Sequence, residues 1–141
     1  MKRSYMVGAM LVVALISVAG LMTSKLTSKA ANTGGKVVEI QSVGELDTHL
    51  KGNKLVVVKY FAPWCGFCKK MEPVYDKLAS EYPNATLVKV DFTKDHGKQL
   101  AQKAGVGGFP TFHLYKGSKK VDEVIGANEA GLREKISARA A

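Results

Sequence analysis

Two cysteines in 141 residues are too few for a disulfide-stapled framework. They also cannot complete a four-ligand zinc site without histidines, and the chain has only His49, His96 and His113. Acidic side chains are missing from the first 38 residues, where Lys2, Arg3, Lys25, Lys29 and Lys36 stand alone. The net charge of +9 is therefore concentrated at the start. The remaining 103 residues carry 16 basic and 12 acidic side chains, and no basic run there is longer than Lys69-Lys70 or Lys119-Lys120. Such scattered charge reads as solvated surface, with no nucleic-acid face. At 46% hydrophobic and 23% charged, the composition excludes disordered, collagenous and coiled-coil classes. The length allows one domain.

Charge is also absent from residues 5–22, an 18-residue apolar run that follows Lys2 and Arg3. A positive start and an apolar stretch read as a secretory signal, with a possible cut after Ala30. The run also reaches the lower limit for spanning a bilayer, so a retained membrane anchor is the alternative. Lysines flank both ends and leave orientation open. The Ser/Thr/Lys-rich stretch before Lys36 also allows an organelle transit sequence. Residues 1–36 are thus expected to be a signal peptide or anchor plus linker, and 37–141 the folded domain. The expected location is extracytosolic, in a secretory lumen or periplasm, secreted or membrane-anchored, with an organelle as the alternative.

The rest alternates strand and helix. Residues 37–40 form a strand candidate, and the Ser42/Glu45 spacing is a capping box for a helix to about Leu50. Residues 55–62, LVVVKYFA, are nearly all apolar, as in a central strand covered on both faces. A helix over residues 65–82 follows, with Pro73 inside it. A strand over 86–92, a helix over 94–104, a hairpin of 111–115 with 120–125, and a helix capped by Asn128 complete the order β-α-β-α-β-α-β-β-α. This is an α/β class: a mixed central β-sheet flanked by helices.

The chemistry lies at Cys65-Gly66-Phe67-Cys68. A bridge between these cysteines closes a four-residue ring worth about 2 kcal/mol, against about 4.7 for a 100-residue loop. Stability is therefore a poor reason for the pair. Its position is a better one, because Cys65 opens a helix where orphan N–H groups and the helix dipole favour a thiolate, the reactive form. Cys68 falls on nearly the same face, one turn deeper. The pattern suits an exposed nucleophile and a sheltered resolving thiol.

The segment from Phe61 through Pro63, Trp64, Cys65 and Cys68 to Lys70 resembles the active-site segment of the thioredoxin superfamily. Pro73 matches the family's helix proline, Gly108-Phe109-Pro110-Thr111 its cis-proline loop, and Gly126 the glycine after the last strand. The resemblance covers about residues 37–139 and implies a thioredoxin fold. It implies that Cys65 attacks a substrate disulfide and that Cys68 resolves the mixed disulfide. It further implies that Trp64, Phe109 and Pro110 line a substrate groove, with the Phe109 backbone pairing to the client chain. No cofactor or metal is implied, since the cysteines carry the electrons. Partners would be protein disulfides or dithiols and an upstream redox donor, acting on a monomer.

Two positions depart from the family pattern. Phe67 stands where thioredoxins usually have proline and disulfide isomerases histidine, and the residue between the cysteines tunes the redox potential. Lys59 stands where the family has a buried acid that moves the proton of the second cysteine. Within an apolar strand, its ammonium is expected either to pair, with Asp91 as the candidate, or to lose its charge, unless it snorkels to solvent. His96 is expected on a surface helix, His113 as a satisfied structural histidine, and Tyr60 and Phe61 as core. The reading is a protein-disulfide reductase. A single-domain disulfide isomerase or oxidase and a docking subunit of a membrane complex are the alternatives.

Overall fold

The computed structural model describes residues 34–140. The signal or anchor expected in residues 5–22 lies outside them. Among the described residues no helix is long and apolar enough to cross a membrane.

Five strands form one sheet in the order β1-β3-β2-β4-β5. They are β1 (Val38–Glu39), β2 (Leu55–Phe61), β3 (Thr86–Asp91), β4 (Thr111–Lys116) and β5 (Lys119–Ile125). β3 runs parallel to both β1 and β2, while β4 is antiparallel to β2 and to β5. The expected mixed sheet is observed. β2 lies at its centre because, Lys59 apart, its side chains are apolar on both faces, and every residue but Phe61 is buried.

Alternation along β2 divides the core. Leu55 and Val57 face one side, with Leu87, Phe112 and Leu114, under α2 (Gly66–Glu81) and α4 (Glu129–Arg139). Val56, Val58 and Tyr60 face the other, with Val88 and Val90, under α1 (Val43–Leu50) and α3 (Asp95–Lys103). This parity puts Lys59 on the α2 side.

Local signals set the helix ends. Ser42 Oγ accepts the Glu45 N–H at 3.1 Å and the Glu45 carboxylate accepts the Gln41 N–H at 2.7 Å, capping the start of α1. Asn128 caps α4 through the Gly131 N–H. Two buried anchors tie helices to the sheet. The Tyr75 hydroxyl lies within hydrogen-bond distance of the Val57 and Val88 carbonyls, at 2.8 and 2.7 Å. Gly97 in α3 packs so closely on β3 that a Cβ there would stand 1.8 Å from the Asp91 carbonyl oxygen.

His96 is half-buried, its Nε2 2.9 Å from the Ile40 carbonyl. His113 is buried with Nε2 3.3 Å from Glu123, but its Nδ1 has no partner, so it is only partly satisfied.

Candidate functional site: a dithiol at the N-terminus of α2

The site is built at the carboxyl end of β2, where the chain leaves the buried strand and turns into α2. Cys65 is the N-cap residue of α2, in an extended backbone conformation. Its Sγ accepts the Cys68 N–H at 3.3 Å, so an orphan N–H of the first turn is spent on the sulfur. Its thiol in turn donates to the Phe109 carbonyl at 3.7 Å. Cys65 is 9% exposed and Cys68 only 2%. Both are free thiols. Accessibility differs in the expected sense, though Cys65 is more enclosed than its place at a helix start suggests.

Burial pushes the Cys68 thiol up to about 11, the nearby Cys65 adds to this, and Lys59 opposes it. Cys68 therefore holds its proton at neutral pH until its surroundings change.

Facing the sulfurs is the 108–111 loop. The Phe109–Pro110 peptide bond is cis. Thr111 Oγ1 donates to the Gly108 carbonyl at 2.8 Å, and the Gly126 N–H donates to the Pro110 carbonyl at 2.8 Å. Gly126 has φ +82°, a left-handed conformation that suits glycine. Ala62, Phe61 and Phe109 pack around the two sulfurs. The Phe109 ring meets Trp64 edge-on at 6.4 Å and Phe92 at 4.8 Å.

Trp64, Phe67 and Ile125 are the large hydrophobic side chains most open to solvent among the described residues, at 70%, 62% and 69%. Trp64 adjoins Cys65 in sequence, and Ile125 pairs with Thr111 beside Pro110. An apolar rim thus borders the sulfurs. Lys70 Nζ lies over the Phe67 ring at 5.7 Å.

Lys59 is 1% exposed, which removes snorkelling. Its Nζ donates to the Cys68 carbonyl at 3.3 Å and lies over the Phe61 and Tyr75 rings at 5.7 and 5.6 Å. Desolvation holds its pKa below the ordinary lysine value, against the pull of Glu72 first, then Cys68 and Asp76. The expected partner Asp91 is a correction. Asp91 sits opposite Phe61 in the sheet, and its Oδ1 accepts from the Thr93 N–H and hydroxyl at 2.8 and 2.7 Å. The carboxylates that act on Lys59 come from the helix, Glu72 foremost and Asp76 after it. Sequence reasoning missed Glu72 and Lys89, whose side chains meet at 2.8 Å. A signal was present: Cys68 and Glu72 are four residues apart on a helix, hence on one face, and Lys89 shares the parity of Leu87 in β3.

A helix-capping thiol, a deeper partner one turn along, and a carbonyl-lined loop against the first sulfur define a protein of thiol–disulfide exchange. The thioredoxin family profile matches residues 37–138. Thioredoxin-2 of Saccharomyces cerevisiae is 43% identical over 72% of this chain and 96% of its own length. A protein disulfide-isomerase of Medicago sativa is 37% identical over 82% of this chain but only 24% of its own length. Among solved structures, the long form of spinach chloroplast thioredoxin f superposes with a TM-score of 0.74 at 37% identity, covering 82% of this chain and 95% of its own. A thioredoxin from Trypanosoma brucei brucei gives 0.70 at 33% identity, covering 74% and 91%. The chain belongs to the thioredoxin family of thiol–disulfide oxidoreductases.

Proposed function

We propose that the chain reduces protein disulfides, with Cys65 as nucleophile and Cys68 as resolving thiol. The observation that carries this reading is the capping contact, in which the Cys68 N–H points at Cys65 Sγ. A donor aimed at that sulfur stabilises charge there, whereas burial pushes the Cys68 thiol up. The Cys65 thiolate attacks one sulfur of a client disulfide. A mixed disulfide forms and the other client sulfur leaves as thiolate. Cys68, once deprotonated, attacks the Cys65 sulfur, and the second client sulfur leaves. Two electrons pass to the client, and an upstream dithiol donor resets the pair. The rim of Trp64, Phe109 and Pro110 receives the client chain, and the Phe109 carbonyl is placed to pair with client backbone. The domain acts as a monomer.

Lys59 and Phe67 are the positions proposed to tune the potential. A buried cation beside Cys68 favours the reduced, thiolate-bearing form, which makes the pair more oxidising. Lys59 is thus the specific observation that favours the second reading, a single-domain disulfide isomerase or oxidase. Titration against glutathione redox buffers separates the two. A potential near about −270 mV supports a reductase, and one near about −180 mV an isomerase.

We further propose that residues 1–36 carry the domain out of the cytosol, as a cleaved signal or a retained anchor. The support is the 18-residue uncharged run behind Lys2 and Arg3. Mass spectrometry of the protein from its native membrane and soluble fractions tests this. An intact N-terminus in the soluble fraction overturns both forms.

A further inference from the structure

A cluster of three charges lies under the resolving thiol, and the exchange steps above leave it unused. Lys59 and Lys89 are register partners on adjacent parallel strands. Their ammonium groups share the Phe61 ring, at 5.7 and 5.4 Å from its centroid. Two cations at one ring repel, and Lys59, the buried one, gives up its proton more readily unless a carboxylate intervenes. Glu72 is that carboxylate. It stands four residues after Cys68 on α2, with Oε1 2.8 Å from Lys89 Nζ. The titratable groups that act on Lys59 are Cys68, Glu72 and Asp76 from α2 and Lys89 from β3; from β4 its register partner is the apolar Phe112. Glu72 is the foremost of those that keep Lys59 charged, and the two lysines in turn hold its own carboxyl below the usual range.

We propose that Glu72 is the positioning acid of the resolving step: from the helix it keeps Lys59 protonated beside Cys68, and the Lys59 ammonium lets Cys68 ionise when its attack is due. This rests on the assignment of Cys68 as the resolving thiol. In that step the Cys68 thiol gives its proton to water. Its sulfur then bonds to the Cys65 sulfur, and the electron pair of the broken bond leaves on the client sulfur, which takes up a proton. Glu72 touches none of the reacting atoms. Its effect on Cys68 runs through the contact of Lys59 Nζ with the Cys68 carbonyl at 3.3 Å.

The test titrates Cys68 alone, by thiolate ultraviolet absorbance, in the full-length chain carrying Cys65→Ser. Glu72→Gln should cut the Cys68 thiolate about tenfold in the pH range where Lys59 keeps its proton in the parent and loses it in the variant, which delays the foot of the titration by about one pH unit. Glu72→Asp should recover most of the lost thiolate. In a Lys59→Met background, Glu72→Gln should do nothing further, since the pair forms a double-mutant cycle. An unchanged or raised thiolate fraction in Glu72→Gln overturns the proposal, as does an equal loss with and without Lys59. If Lys59→Met does not fold, equal titration curves for Glu72→Asp and Glu72→Gln overturn it. With both cysteines present, stopped-flow release of the client thiol from a mixed disulfide on Cys65 should slow about tenfold in Glu72→Gln, with its pH profile displaced upward. If the unsubstituted chain releases no client thiol at any pH, the exchange reading itself has failed, while the titration still judges Glu72.

Discussion

Lys59 Nζ donates to the backbone carbonyl of Cys68 across 3.3 Å from a strand position that is 1% exposed. A lysine at this depth stays only because rings and a helix carbonyl receive its ammonium. The contact ties the middle of the central strand to the first turn of α2. Any change of charge at residue 59 is therefore felt at the second sulfur.

Potential should follow that charge. Each pKa unit of thiolate stabilisation is about 1.4 kcal/mol, and for a two-electron couple this corresponds to about 30 mV. Lys59→Asp should make the pair more reducing by at least that order, and Lys59→Met should fall between. Equilibration of the three proteins in one glutathione buffer checks the order. Identical potentials would remove Lys59 from the tuning of the site.

The same lysine should weaken the fold at neutral pH. Its pKa is below 10.5 in the folded state, so between the folded and unfolded values the unfolded chain binds more protons. Stability from this group then rises with pH through that window, and below it the full penalty stands. Lys59→Met should raise the melting temperature at neutral pH, by about 1.4 kcal/mol of stability for each pKa unit of depression. The advantage should close as pH approaches 10.5. Cys68 and Tyr60 ionise less readily in the fold than out of it, so they push stability down at alkaline pH. The difference between variant and parent is therefore the quantity to measure by calorimetry. A gap that does not vary with pH counts against a depressed Lys59.

The two cysteines should separate cleanly. Cys65 should be alkylated first at neutral pH, because it is the more exposed and its sulfur takes a backbone N–H. Cys65→Ser should reduce disulfide reduction to the uncatalysed level, while Cys68→Ser should accumulate mixed disulfides visible on non-reducing gels. Preferential alkylation of Cys68 would reverse the assignment.

Gly97→Ala sets helix propensity against space. Alanine improves a helix interior by about 1 kcal/mol. Here its Cβ would stand 1.8 Å from the Asp91 carbonyl oxygen, a backbone atom that cannot swing aside. The clash should win, at about 3 kcal/mol of stability and a fall in melting temperature of roughly 10 °C or more. Thermal denaturation decides it, and a melting point at or above the parent's would show that α3 can lift from β3.

Much of the architecture was written in local pattern. The apolar run of β2, the capping box at Ser42 and Glu45, the cap at Asn128 and the hairpin over 111–125 each state their own element, because helix caps and strand periodicity act over a few residues. The Cys65 to Cys68 spacing likewise announced one thiol at a helix start and a second, deeper one a turn along. What the residues could not state alone was who faces Lys59. Asp91 is on the neighbouring strand and was the natural candidate, yet its carboxylate is taken by Thr93, two residues on. Glu72 is thirteen residues from Lys59 and on a different element. Only the packing of α2 on the face shared by Lys59 and Lys89 brings the three charges together. Sequence determined the strand, the helix and the dithiol through short-range preference. Tertiary structure decided the electrostatics of the second sulfur, because burial and charge pairing depend on which faces meet.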